Sequence, residues 1–294
     1  MKKKNGLTFL VFVLVLFCQG NILYGGEVSK KKAWANFKPL VAEKETKRLY
    51  KQGEMDSIQN KYLANVKKVV ERNNLKGKLE IYYVTKTMGD VSIDTQYAAI
   101  VKSYYLMPVV NGVKVTESNM HVNYRLFDEL TFMDGSTNVL WTKKYNINGK
   151  YSGIYLKKIL KNGKRLLVTT PYSGKDFKTE YYGEYGYEID DFVVYDKKGI
   201  EIFKSQYNAA VTDPRMTDNG KYVYFTDSIN YETNYDRCIF FNVDRKDSVY
   251  LNVPSLKFGS VEIEDDGNIL LWSTTTRIRL HFDSLKVKPW KWEE

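Results

Sequence analysis

From Leu79 onward, apolar and polar residues alternate in short runs separated by Gly, Asn and Asp, as in KLEIYYVTK (78–86), YAAIVKSYYLMPVV (97–110), GVKVTE (112–117) and MHVNYRLF (120–127). A period of two is that of a strand with one buried face, so the pattern predicts an all-β region. Upstream the period changes. In EMDSIQNKYLANVKKVVERNNLKG (54–77) the apolar positions Met55, Ile58, Tyr62, Val66 and Val69, widened by Leu63 and Val70, follow one helix face, and Asn73, Asn74 and Gly77 supply stop signals. LVAEKETKRLY (40–50) reads as a further helical stretch. The chain divides on this reading into a leader (1–25), an N-terminal helical segment (27–77) and a β domain (78–294).

Within the β domain one hairpin recurs. NGKRLLVTT (162–170), NGKYVYFTD (219–227) and DGNILLWST (266–274) align without gaps and superpose Gly163, Gly220 and Gly267, at intervals of 57 and 47 residues. A Gly after Asn or Asp suits a turn that needs positive φ. Each copy is followed by another strand pattern, DDFVVYDKKGIEIF (190–203), RCIFFNVDRKDSVYL (237–251) and IRLHFDSLKVK (278–288), in which Asp196, Asp244 and Asp283 fall at the strand ends. Antiparallel units of roughly 40–50 residues are propeller blades.

On these residues the sequence resembles the WD40-like and quinoprotein-like β-propeller superfamily over about residues 160–288. VYDKKG (194–199) falls where such repeats carry Trp-Asp and a turn glycine, and NGKYVYF where they carry the turn and next strand. The family's Gly-His pair is absent and the Trp-Asp slot reads Tyr-Asp, Val-Asp and Phe-Asp, so strict WD repeats are excluded. The resemblance implies a mainly β, propeller-like fold. Dividing residues 78–288 by a blade of ~45 residues gives four to five blades, with MDGSTNVLWTKKY (133–145) in an earlier one.

The leader changes the picture of where the chain works. Lys2, Lys3 and Lys4 precede an apolar run from Leu7 to Phe17, and Gly20, Gly25 and Gly26 follow. That is the layout of a secretory signal peptide, too short for a membrane-spanning helix of about 20 residues. The expectation is an exported chain, periplasmic or extracellular, with no transmembrane helix after processing. Cys18 offers lipoprotein processing as the lesser route, because Phe17 stands where a lipobox carries a small residue. Once Cys18 leaves, Cys238 has no disulfide partner and reads as a core residue.

The net charge of +10 is uneven: residues 27–77 hold 13 basic and 6 acidic groups, whereas residues 78–294 hold 29 of each. The neutral β body argues against a nucleic-acid partner. The basic face of the 54–77 helix, with Lys61, Lys67, Lys68 and Arg72, reads as the solvated side of a docked helix rather than a lipid- or polymer-binding surface.

Little chemistry is spelled out. His121 and His281 lie in strand patterns without metal-ligand spacing, and neither a G-x-S-x-G elbow nor a P-loop is present. The acids of TDNG (217–220) and EIEDDGN (262–268) suit hairpin turns better than calcium loops. No cofactor or metal is expected. In TRIRLHFDS, His281 reads as a hydrogen-bonded residue on a polar strand face. The exception is PYSGKDFKTEYYGEYGYEIDD (171–191), a long insertion in which Tyr181, Tyr182, Tyr185 and Tyr187 offer stacking surfaces and Glu184, Glu188, Asp190 and Asp191 offer acceptors. The sequence reading is an exported, non-catalytic binding or scaffold protein whose partner is an envelope protein or glycan. The alternative is a hydrolase or lyase using paired carboxylates of this loop on envelope glycans or peptides.

Overall fold

The alternating runs fold into successive antiparallel sheets in a computed structural model that describes residues 35–50, 57–117, 120–121, 124–147, 153–171, 189–208, 213–230, 235–254, 260–272, 277–285 and 288–289. The signal-peptide reading of residues 1–25, with Cys18, lies outside them. A helix α1 (residues 35–41) leads into β1 (Lys44–Leu49), and α2 (Ser57–Arg72) follows. The first sheet takes the order β1, β2 (Leu79–Val91), β3 (Tyr97–Val110), β7 (Tyr124–Asp134), β8 (Val139–Asn146), with β4 (Val113–Lys114) on β3. Between β4 and β7, β5 (Thr116–Glu117) and β6 (Met120–His121) pair with each other.

The second sheet is a meander of β9 (Tyr155–Ile159), β10 (Arg165–Pro171), β11 (Ile189–Asp196) and β12 (Glu201–Asn208). The third repeats it with β13 (Arg215–Met216), β14 (Tyr222–Asn230), β15 (Tyr235–Asn242) and β16 (Asp247–Pro254). A fourth has β17 (Ser260–Ile263), β18 (Asn268–Trp272) and β19 (Arg277–His281), and β20 (Lys288–Pro289) returns to β16. The helix expected over residues 40–50 is instead largely the strand β1. Its polar run has no apolar helix stripe to bury, whereas the edge of β2 offers a full row of main-chain partners from Lys44↔Thr87 to Leu49↔Tyr82.

Alternation explains the stacking. Leu166, Val168, Val193 and Tyr195 point from the second sheet toward Ala99, Val101, Leu130 and Phe132 of the first. Leu167, Phe192, Val194 and Phe203 point the other way, against Val223, Phe225, Ile239 and Phe241 of the third. The third sheet turns its opposite face, with Tyr222, Cys238 and Phe240, onto Ile263, Ile269, Leu271 and Phe282 of the fourth segment. Cys238 is thus a core residue, as expected. Phe192 sits at a three-way ring contact, 5.4 Å from Phe241 and 5.9 Å from Phe225, and each such buried ring contributes about 1.5–3 kcal/mol by burial alone. The sheets therefore follow one another face to face, as propeller blades do. Among the described residues no buried cluster joins the fourth sheet back to the first, whose outer face is partly covered by α1 and α2. Tyr62, Val66 and Val69 of α2 are buried, while Lys61, Lys67, Lys68 and Arg72 are exposed, so the helix docks by the described part of the stripe its sequence predicts.

The repeated hairpin keeps one glycine-closed turn, one residue shorter in the fourth sheet than in the second and third. In the second sheet Leu160 N donates to Arg165 O and Gly163 N to Leu160 O; in the third, Thr217 N donates to Tyr222 O and Gly220 N to Thr217 O; in the fourth, Glu264 N donates to Asn268 O and Gly267 N to Glu264 O. All three glycines have positive φ, +61°, +75° and +95°. A fourth copy, hidden in sequence, joins β2 to β3: Ser92 N donates to Tyr97 O, Thr95 N donates to Ser92 O, and Thr95 takes the glycine's place at φ +55°. One alignment needs correcting. Arg165↔Asp196 and Tyr222↔Asn242 are equivalent pairs, so the counterpart of Asp196 is Asn242, not Asp244; in the fourth sheet it is His281, not Asp283. Asp196, Asn242 and His281 each accept from the backbone N–H two residues on, of Lys198, Asp244 and Asp283. The shared demand is for an acceptor that closes the next turn, which carboxylate, amide and imidazole all meet.

Candidate functional site

The recurrent turns bring one residue set from each sheet to the same end of the stack. There Ile93 of the first sheet, Lys158, Leu160 and Lys161 of the second, Asp218 and Asn219 of the third and Asp265 of the fourth line a cavity of about 230 Å³. The turns are tied to one another across it. Asn162 N donates to Asp94 Oδ2 at 2.7 Å, Lys158 Nζ donates to Met216 O and Asp218 Oδ1 at 2.7 Å each, and Asn219 donates through N and Nδ2 to Asp265 Oδ1 and O at 2.9 and 2.8 Å. Hydrogen bonds thus tie the rim from sheet to sheet, because each turn must leave its polar backbone groups near water or partnered.

Electrostatics fix the charge states around it. The hydrogen bond and charge of Lys158, with the charge of Lys161, hold the Asp218 carboxyl below the usual carboxylate range. Burial pushes Asp94 up, but hydrogen bonds from Ser92 Oγ and from the N–H groups of Asn162 and Gln96 outweigh it and hold that carboxyl low as well. Lys161 makes no hydrogen bond or ion pair among the described residues. The mouth therefore offers ionised carboxylates already oriented by donors, one uncommitted ammonium and the apolar Ile93 side chain, 67% exposed. At this volume it suits a small polar group or a single side chain rather than a drug-sized ligand.

The residues singled out from the sequence stand elsewhere. Tyr181, Tyr182, Tyr185, Tyr187, Glu184 and Glu188 lie outside the described residues. The described ends of that insertion, Pro171 and Ile189, lie at the far end of β10 and β11 from the turn at Gly163, so its base is opposite the mouth. Asp190 and Asp191, read as loop acceptors, are corrected: both are strand residues of β11 and are buried, Asp191 3.0 Å from Lys204 Nζ. His281 does what its strand pattern predicts, hydrogen-bonding through Nε2 to Asp266 O at 3.1 Å and accepting through Nδ1.

Between the first two sheets a second polar group is buried. Arg125 donates to both oxygens of Asp128, at 2.8 and 2.6 Å, and to Ser103 Oγ at 2.9 Å, with the Tyr105 and Tyr155 rings beneath its guanidinium. Asp128 also accepts from Ile154 N at 2.8 Å. Burial opposes the Arg125 charge, and Asp128 more than restores it, raising the guanidinium above its ordinary value. Because Gly153 has no Cβ, the guanidinium fits against its backbone. With Arg125 Nε and Nη2 bound to Asp128 and Ser103, and Asp128 also holding Ile154 N, this cluster is a clamp between sheets.

No protein-family model and no curated protein matches the sequence. The solved structures that match the chain include these two. The hydrazine synthase of Kuenenia stuttgartiensis matches at 14% identity and a TM-score of 0.32, over 69% of this chain and 81% of that one. The β-propeller domain of the Trilobed protease from Pyrococcus furiosus, described as having an open velcro topology, matches at 12% identity and a TM-score of 0.30, over 73% of this chain and 82% of that one. No helix of the described residues is long and apolar enough to cross a membrane.

Proposed function

We propose that the chain is an exported, non-catalytic binding protein of β-propeller type, with four to five blades, that holds a small polar group of an envelope protein or glycan in the mouth where the turns meet. The observation that carries this reading is the convergence of turns from all four stacked sheets on one cavity, with Lys161 uncommitted at its rim. Rigid turns on a β scaffold preorganise such a site, since little order remains to be gained on binding. Tyr181, Tyr182, Tyr185 and Tyr187, with Glu184 and Glu188, supply a second contact surface on this reading. The test is a thermal-shift and calorimetric screen of the chain from residue 27 against short peptides and oligosaccharides. A ligand whose affinity falls at least tenfold with Lys161→Ala supports the mouth. One whose affinity falls only with Tyr181→Ser, Tyr182→Ser and Tyr185→Ser combined moves the site to the loop, and turnover of any compound overturns the non-catalytic reading.

A further inference from the structure

The outer face of the first sheet carries a trough that the proposed mouth does not use. Alternation along β3 sends Ala98, Ile100, Lys102, Tyr104 and Leu106 away from the second sheet. Phe37 and Val41 of the α1 region cover Ala98 and Ile100 at one end, and Tyr62 and Val66 of α2 cover Leu106 at the other. Lys102 and Tyr104 lie between. The distance from Ile100 to Leu106 along an extended strand is ~20 Å, and two helix radii of about 5 Å each occupy half of it, leaving a trough ~10 Å wide that runs across the strands.

Its floor is a row of rings with cations set on them. Tyr83, Tyr104 and Phe127 follow one another across β2, β3 and β7, with Tyr104 and Phe127 stacked at 4.2 Å. Arg48 lies 4.7 Å over Tyr83, Lys102 Nζ 5.2 Å over Tyr104 and Lys144 Nζ 3.9 Å over Phe127. Lys102 and Lys144 stand on β3 and β8 on either side of Glu129, two strand spacings or ~10 Å apart, whereas Arg48, level with Leu106 through Tyr83, stands toward the α2 end. Glu129 faces both Lys102 and Lys144 in register, yet neither lysine forms an ion pair among the described residues; each lies on its ring instead. Thr85, Thr87, Thr131 and Thr142 share the same face by alternation, and Thr131 and Thr142 hydroxyls meet at 3.2 Å.

We infer that this trough binds an acidic polysaccharide laid across the strands, its anionic groups on Lys102 and Lys144 and its hydroxyls on the threonines. Cations already held over rings lose little freedom on pairing with an anion. Single-stranded nucleic acid would need open ring faces for its bases, and here the faces are taken by ammonium groups and by one another. An acidic peptide would look for main-chain partners, which a sheet face lacks and an edge provides. A bilayer is held off because the trough is recessed between two helices.

The test is calorimetry at low salt on the chain from residue 27, with a linear uronic-acid oligomer as probe. Equal-length neutral oligosaccharide, poly-glutamate, oligo-dT and phosphatidylglycerol vesicles serve as comparators. The uronic oligomer is expected to bind most tightly. Lys102→Gln with Lys144→Gln should weaken it at least fivefold and flatten its salt dependence, Glu129→Gln should tighten it, and Lys157→Gln should leave it unchanged. The gain expected for Glu129→Gln cannot arise from misfolding. Absence of binding, a loss under fivefold in the double variant, no gain in Glu129→Gln, or a comparator that binds as tightly overturns the inference. Persistence of binding in Lys161→Ala separates this trough from the mouth.

Discussion

Replacing Gly220 by Ala isolates what the repeated turn requires. Gly220 has φ +75°, and a Cβ there would stand inside van der Waals distance of Leu160 Cδ1 and 2.7 Å from Arg165 Cδ. The left-handed backbone alone costs an L-residue about 1–2 kcal/mol. Moving Leu160, 3% exposed and part of the core between the second and third sheets, adds an overpacking cost of about 1–3 kcal/mol. Arg165 must shift too, although it donates to Gly220 O and pairs with Asp244. The expected loss is roughly 2–5 kcal/mol. Gly112 is the internal control: its φ is +80°, but nothing lies within 4 Å of a Cβ, so Gly112→Ala should pay the backbone term only. Urea unfolding of both variants, compared at a common m-value, measures the difference. A Gly220→Ala midpoint equal to that of Gly112→Ala would refute the claim that the turn glycine is a contact between sheets.

Thr95→Gly should raise stability by up to about 1 kcal/mol, seen as a higher thermal midpoint, because a β-branched residue now holds the left-handed position that glycine holds in the other copies. Asp128→Asn should cost about 3–5 kcal/mol by leaving the Arg125 charge buried without its counter-ion, whereas Arg125→Met with Asp128→Leu should cost less than either single change; a double variant as damaged as the single one would refute the clamp. The Tyr145 and Tyr195 hydroxyls meet at 2.5 Å; burial, with Tyr195 and Glu201 adding, raises Tyr145 far above its ordinary range, and burial pushes Tyr195 up to about 12 against the pull of the Tyr145 hydrogen bond. Both phenols are raised above the unfolded value of 10.0, so their contribution is intact below about pH 10 and is lost as pH climbs toward 12; Tyr195→Phe should flatten the alkaline limb of a stability–pH curve. The mature N-terminus should fall near Asn21 or Gly26, and mass spectrometry showing a diacylated Cys18 would replace the secretory reading with lipoprotein anchoring.

The strands were legible because their one-sided burial forces an alternation that few other structures produce. Three copies of the turn could be aligned on Gly163, Gly220 and Gly267, since a positive φ narrows the choice of residue. The fourth escaped because Thr95 tolerates the same backbone at a cost, and composition does not reveal strain. β1 was misread because an exposed edge strand buries nothing: KETKRL is exposed throughout and takes its conformation from hydrogen bonds to β2. The slots of Asp196, Asn242 and His281 were misaligned because the turn selects an acceptor, not a residue type. The mouth was illegible for a related reason. Asp218, Asn219 and Asp265 are residues that any hairpin turn favours, so nothing in sequence distinguishes turns that meet from turns that do not.

The turn contacts also have a direction. Gly163 rests on Tyr97 of the first sheet, Gly220 on Leu160 and Arg165 of the second, and Gly267 on Tyr222 of the third, so each hairpin seats on the sheet made just before it in the chain. A polypeptide emerging amino end first would find each docking surface already complete when the next hairpin emerges, and assembly can proceed vectorially without waiting for the carboxyl end. Sequential templating of this kind concentrates the penalty of an early defect. A fault in the first sheet would deprive every later one of its template, whereas loss of the last hairpin would uncover a single face.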